Sequence, residues 1–151
     1  MGSMHDVLQV HGGVPLQGEI TVRGAKNFVS KAMVASLLGD TPSELRNVPL
    51  IRDVQVVTEL LELHGVKVGL DDATGTLSLD PRNVEQAHVA DIDAHAGSSR
   101  IPILFCGPLL HRLGEAFIPD LGGGRVGDRP IKFHLGILRP FGAPEGKRGL
   151  G

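Results

Sequence analysis

The sequence predicts an α/β (α+β) fold of repeated β-α-β-α-β-β units. Three observations carry that expectation: short β runs bounded by glycine and proline, apolar stripes at helical spacing, and a pattern that recurs about 75 residues along the chain. Asp6–Val10 reads as a strand, Gly12-Gly13-Val14-Pro15 as a turn, and Glu19–Val22 as a second extended run. Phe28 to Leu38 is nearly continuous in helix-compatible apolar and small residues, and Gly39 suits a left-handed C-terminal cap. Ser43–Asn47 gives a short strand ending before Pro49. Asp53 opens a helix in which Val54, Val57, Leu61 and His64 share one face, with Leu60 widening the stripe. Gly65 ends that helix. Val66–Leu70 and Thr76–Leu79 then read as strands joined by the turn Asp71-Asp72-Ala73-Thr74-Gly75.

A second copy begins near Ser99-Arg100. Leu38-Gly39 corresponds to Leu113-Gly114 and Asp53 to Asp128, each 75 residues on, while His64-Gly65 corresponds to Phe141-Gly142, 77 residues on. Glu115–Pro119 occupies the slot of the strand Ser43–Asn47. Pro108 falls inside the helical stretch Ile103 to Leu113 and should bend it, because proline removes a backbone donor and its ring crowds the preceding turn.

Composition excludes several classes of function. With 151 residues, 41% of them hydrophobic, the chain can bury one domain-sized core. A net charge of −2 and the absence of Trp and Tyr argue against a nucleic-acid partner, which would need a basic field and stacking side chains. No apolar run approaches the roughly 20 residues of a membrane span, and no secretory core follows Met1, so the cytoplasm is the expected compartment. Cys106 has no cysteine to pair with, and among apolar neighbours it reads as a small buried residue rather than a nucleophile. The seven histidines lack H-x-x-x-H and H-E-x-x-H spacing, so no bound metal is expected.

Three segments carry candidate chemistry. Val22-Arg23-Gly24-Ala25-Lys26-Asn27 runs from a strand end into a helix start, where unpaired N–H groups and the positive end of the helix dipole favour a phosphate or carboxylate. Lys26 adds a full charge there. The residues alone leave two readings open, an anion site or a solvated lysine beside an ordinary turn. Arg100 occupies the equivalent helix start of the second copy. Leu121-Gly122-Gly123-Gly124-Arg125-Val126-Gly127-Asp128-Arg129-Pro130 is a glycine-rich loop leading into a helix that Asp128 can cap and Pro130 can begin. Its arginines suit a diphosphate or phosphosugar through bidentate contacts; a flexible loop with Arg129 paired to Asp128 or Asp120 is the alternative.

Gly24-Ala25-Lys26-Asn27, Arg46-Asn47-Val48-Pro49, Ile51-Arg52-Asp53-Val54, Gly97-Ser98-Ser99-Arg100, Cys106-Gly107-Pro108-Leu109 and Gly127-Asp128-Arg129-Pro130-Ile131 together resemble the UDP-N-acetylglucosamine enolpyruvyl transferases, from about residue 6 to residue 143. The sister family, 5-enolpyruvylshikimate-3-phosphate synthase, typically has Gly-Ser-Lys-Ser where this chain has Gly-Ala-Lys-Asn, so the resemblance points to the cell-wall enzymes. It implies an inside-out barrel of six repeats in two globular domains, of which about two repeats are present. Residues 1–5 would be a tag-like or disordered start, 6–22 strands that belong with the second domain, 23–98 the first repeat unit, 99–143 a second, incomplete one, and 144–151 a tail.

The resemblance also implies an activity. Enolpyruvyl would pass from phosphoenolpyruvate to the 3-hydroxyl of UDP-N-acetylglucosamine with release of phosphate, the first committed step of peptidoglycan synthesis, without a cofactor. Lys26 would act in catalysis and, with Asn27, bind phosphoenolpyruvate. Arg100, Arg129, Pro130, Ile131, Lys132 and Phe133 would hold the sugar nucleotide.

Departures from the family pattern qualify that expectation. Gly124 stands where the family carries its general acid, a Cys or Asp, and loss of acid catalysis typically costs about 10²–10⁴-fold in rate. Lys132 replaces an aspartate common after Arg-Pro-Ile, and Pro140 enters the last turn of a helix. The chain is about a third of the family's length, and the catalytic aspartate and arginines of the second domain are not in it, so it is expected to be inactive alone. A non-catalytic sugar-nucleotide-binding or scaffold module is the other reading. Self-association through exposed repeat faces is a further expectation.

Overall fold

The computed structural model describes residues 7–97, 99–121, 132–142 and 146. Chain order is α1 (Lys26–Ala35), a 3-10 turn (Ser36–Leu38), β1 (Ser43–Leu45), α2 (Arg52–Leu63), β2 (Lys67–Asp71) and β3 (Thr76–Asp80). Then follow α3 (Val89–Asp93), a 3-10 segment (Ile101–Phe105), α4 (Cys106–Leu113), α5 (Lys132–Leu138) and a last 3-10 turn (Arg139–Phe141). The mixed helix and strand composition agrees with the predicted fold class.

The stripe Val54, Val57, Leu60, Leu61 and His64 is buried along α2 as its spacing requires. Asp53 sits in the first turn, where a carboxylate complements the helix dipole, but no side chain caps that end. The other end closes by a Schellman arrangement: Gly65 N–H donates to Glu62 O at 3.0 Å and Val66 N–H to Leu61 O at 3.1 Å. Gly65 has φ +80, and a Cβ there would strike the Asn83 carbonyl oxygen, so both backbone and space demand glycine.

The three strands are antiparallel in the order β1-β3-β2, with Leu45 opposite Leu77 and Val68 opposite Leu79. Along β3 the side chains alternate. Leu77 and Leu79 are fully buried and Ser78 faces out, the period of 2 expected of a sheet with one wet face. The buried leucines join Val29, Met33 and Leu37 of the first helical stretch, the α2 stripe, and Phe105 and Leu109 in one core.

Several sequence expectations need correction. Residues 7–25 form neither strand nor helix, so the strand expected over Asp6–Val10 is not formed in its described part, nor is the extended run Glu19–Val22 paired. A strand is held by cross-strand hydrogen bonds and burial of one face. Here the apolar residues Leu8, Val10, Val14, Leu16, Ile20 and Val22 lie on one parity, Val7 on the other, and all remain exposed, between 72% and 97%. The pattern specifies a face, and no edge of the described sheet takes it up. Glu115–Pro119 is likewise irregular, with Pro119 buried and unable to donate to a ladder.

Gly39 is extended at φ −91 rather than left-handed. The 3-10 turn before it tightens the helix end instead: Gly39 N–H donates to Ser36 O at 3.1 Å, and the Gly39 carbonyl accepts from Arg112 Nη1 at 2.9 Å. Pro108 breaks the second helical stretch rather than bending it. Residues 101–105 are 3-10, and α4 begins at Cys106, which places Pro108 in a first turn where its missing donor costs nothing. The two long helical stretches, 26–38 and 101–113, nonetheless keep the 75-residue offset, and Gly142 is left-handed like Gly65, at φ +86 and +80.

His64 is 1% exposed, stacked on Phe105 with ring centroids 5.9 Å apart, and its Nδ1 lies 2.7 Å from Leu60 O. Nδ1 must therefore donate, leaving Nε2 buried with no protein partner. Burial pushes the imidazole below its ordinary value, against a smaller raising effect of the Leu60 carbonyl. The neutral form is the folded one, so this contribution to stability is complete above the unfolded value near 6.5 and is lost as pH falls through the lower folded value. Urea midpoints measured between pH 7.5 and 5 should fall for the wild type and fall less for His64→Leu. Parallel curves for the two proteins would refute this.

Candidate functional site

Lys26 and Asn27 begin α1. The cap residue Ala25 offers no side-chain acceptor, and no carboxylate lies in the first turn. The first bonds back to the cap are Phe28 N–H to Ala25 O at 3.1 Å and Val29 N–H to the same oxygen at 3.2 Å. The amides of Lys26 and Asn27 stand ahead of them, which is the arrangement that favours an anion. Entry into the helix is fixed by Gly24, whose N–H donates to Asn47 O at 2.8 Å. A Cβ on Gly24 would stand 2.7 Å from that oxygen, so a larger residue would push the two segments apart.

A cleft of about 430 Å³ opens at this helix start. Lys26, Asn27, Ser30 and Lys31 of α1 form one wall and Asp53 of α2 lies beside them; Ser99, Arg100, Ile101 and Leu104 supply the facing wall. Lys31 Nζ donates to Asn27 O at 2.7 Å, which folds its ammonium back over the first turn. Ser99 Oγ accepts from Ile101 N–H at 3.2 Å and so fixes the start of the 3-10 segment, with Arg100 at its cap position. Three cationic side chains against one carboxylate make the cleft positive, and its walls of Ile101 and Leu104 lower the local screening of those charges.

A larger hollow, about 670 Å³, lies over the outer face of the sheet beside Glu44, Arg46, Asp71 and Thr74. Its charged groups already have partners. Arg46 Nε pairs with Glu44 Oε1 at 2.7 Å, and Asp71 accepts from Thr74 Oγ1 at 2.8 Å, a bond that holds its carboxyl below the ordinary range. The smaller cleft is the better candidate because it gathers Lys26, Lys31 and Arg100 around a helix start that no side chain caps.

Of the residues expected from sequence, Lys26, Asn27 and Arg100 are therefore brought together. Gly124, Arg129, Pro130 and Ile131 lie outside the described residues, as does the side chain of Lys132. Phe133 is exposed on α5 and does not line the cleft. Ser30, Lys31 and Asp53 were not expected there. The spacings i, i+4 from Lys26 to Ser30 and from Asn27 to Lys31 are the signal that could have found two of them. Cys106 is buried and its thiol is pushed up by burial, in keeping with a packing role. Among the described residues no group of three His, Cys, Asp or Glu side chains is placed to hold a metal, and no helix is long and apolar enough to cross a membrane.

Comparison with known proteins bears on the family and the fold. The family described as EPSP synthase (3-phosphoshikimate 1-carboxyvinyltransferase) matches residues 10–145. A UDP-N-acetylglucosamine 1-carboxyvinyltransferase of Protochlamydia amoebophila is 39% identical over 146 residues, covering 96% of this chain and 31% of that protein. A protein of the same name from Gloeobacter violaceus is 41% identical over 136 residues, covering 90% and 29%. The chain thus spans about a third of the length of these curated relatives. Among solved structures, the enolpyruvyl transferase NikO from Streptomyces tendae superposes with a TM-score of 0.56 at 22% identity, over 69% of this chain and 23% of that one, a likeness of fold.

Proposed function

The chain belongs to the EPSP synthase family of carboxyvinyltransferases, and we propose that its cleft is one wall of a site that transfers enolpyruvyl from phosphoenolpyruvate to the 3-hydroxyl of UDP-N-acetylglucosamine. The observation that carries the reading is the meeting of Lys26 and Asn27 with Arg100, some 73 residues further along the chain, at one uncapped helix start. Lys26 and Asn27 bind phosphoenolpyruvate, and Lys26 stabilises charge during transfer. Arg100 serves the sugar nucleotide, joined by Arg129, Pro130, Ile131, Lys132 and Phe133. Phosphoenolpyruvate and a diphosphate together carry several negative charges, and cations gathered at a helix start offer them both full charges and unpaired amides. UDP-N-acetylglucosamine is favoured over a shikimate phosphate by Gly24-Ala25-Lys26-Asn27 and by the names of the 39% and 41% identical relatives. The setting is then peptidoglycan synthesis in the cytoplasm, with its consequences for cell shape and division.

Gly124 favours a second reading, a binding or scaffold module without turnover, because glycine cannot donate the proton expected at that position. Phosphate release from phosphoenolpyruvate plus UDP-N-acetylglucosamine separates the two. We expect binding of both substrates by calorimetry and no release from this chain alone; steady release would establish autonomous catalysis, and failure to bind either substrate would sink the cleft assignment. Gly124→Asp should not restore turnover if cleft closure requires the remainder of the relatives' length.

Self-association belongs to the same reading. Residues 8–22 present apolar side chains of one parity to solvent, and such a segment pairs readily with another chain. Sedimentation velocity should show a mass that rises with concentration, and a monomer at every concentration would contradict it.

A further inference from the structure

We propose that Asn47 is a positioning residue for the anion cleft, a single left-handed residue that holds the starts of both helices lining it. This rests on the cleft being the binding site proposed above. Asn47 is the non-glycine residue at positive φ, +57, among those described. Such a conformation is unfavourable for most side chains and persists where the surroundings determine it; asparagine is among the few that tolerate it.

What Asn47 does in that conformation is clasp the approach to α1 at two points. Its carbonyl accepts from Gly24 N–H at 2.8 Å, and its Nδ2 donates to Val22 O at 3.3 Å. Lys26 and Asn27 follow directly. The next residue ties the same turn to the β2–β3 hairpin, since Val48 N–H donates to Gly75 O at 2.8 Å, and Arg23 Nη1 reaches Thr74 O at 3.3 Å. Val48 and Pro49 are then buried and lead into Ile51, the cap of α2, where Ile51 N–H donates to Pro49 O at 3.0 Å. Asp53 enters the cleft two residues later. One turn therefore sets the entry of Lys26 and of Asp53, on two elements far apart in the chain. Glycine would keep the backbone conformation and lose the amide donor; aspartate would tolerate the conformation but turn a carboxylate oxygen toward the Val22 carbonyl.

The test uses the full chain and the variants Asn47→Gly and Asn47→Asp. In unliganded protein, amide exchange at Gly24, Phe28 and Val29 should accelerate by roughly fivefold relative to Leu61 in the α2 interior, the worth of one ordinary hydrogen bond. Calorimetric dissociation constants for phosphoenolpyruvate should weaken by a similar factor, more in Asn47→Asp than in Asn47→Gly, while the urea midpoint moves little. A merely structural role would accelerate Gly24 and Leu61 alike and lower the midpoint; that result, or accelerated exchange with unchanged affinity, overturns the proposal. If the wild type binds neither phosphoenolpyruvate nor UDP-N-acetylglucosamine, the cleft assignment itself has failed. The exchange ratios still decide whether Asn47 holds the helix start.

Discussion

Lys26→Met should weaken phosphoenolpyruvate binding by about ten- to a hundredfold and leave the fold unchanged. Lys26 is exposed at the first position of α1, so its removal takes away no packing, and surface changes of this kind usually stay within about 0.5 kcal/mol of wild-type stability. Binding is different. A hydrogen bond to a charged partner is worth about 1.5–3 kcal/mol, which converts to the stated factor. The unpaired amides of the helix start remain in the variant and account for the residual affinity. Lys26→Arg should recover only part of the loss, because a planar fork on a different stem does not replace a compact ammonium. Calorimetry at two salt concentrations checks the cause: the wild-type affinity should fall more steeply with salt than that of Lys26→Met. Equal slopes and equal affinities would mean that the ammonium faces solvent and the cleft recruits its anion by other means.

The legible parts of this chain are those in which local chemistry decides. The α2 stripe specifies a helix and its buried face, and Asp71 to Gly75 specifies a hairpin because Asp71 Oδ1 can accept from Ala73 N–H at 3.0 Å while Gly75 takes φ +67. Lys26 and Arg100 were readable as a pair because the 75-residue repeat assigned both to helix starts. The failures share a different cause. Residues 8–22 carry an alternating pattern, but alternation states which side chains need covering and says nothing about whether a sheet edge is there to cover them. Gly39 could adopt either hand, and in the extended form it takes after the 3-10 turn its carbonyl meets Arg112, a residue 73 positions away whose guanidinium also reaches Pro81 O at 3.1 Å. Asp53 was read as a helix opener and stands in the first turn of α2, one residue after its start; that it also lines the cleft with Lys26 depends on how α1 lies on α2, and only the packed core fixes that.

Leu79→Ala should cost about 2–5 kcal/mol, and Ser78→Ala on the same strand about 0.5 kcal/mol or less. Leu79 lies on the central strand, opposite Ser43 on β1 and Val68 on β2, and its side chain is fully buried in the cluster that includes Met33, Leu61 and Phe105. Truncation removes apolar contact and leaves a cavity bounded by helices and sheet, which cannot collapse far without disturbing both neighbouring strands. Ser78 points the other way and loses only an exposed bond from its Oγ to Gly69 O, 3.2 Å long. Small domains are stable by roughly 5–15 kcal/mol, so the first variant forfeits a large share of that margin. The consequence reaches the cleft, because α1 and α2 hold Lys26 and Asp53 only while both rest on the sheet's buried face. Urea unfolding of the two variants measures the contrast directly. Similar midpoints for Leu79→Ala and Ser78→Ala would show that β3 does not present alternate faces to core and solvent, and the register with β1 and β2 would have to be redrawn.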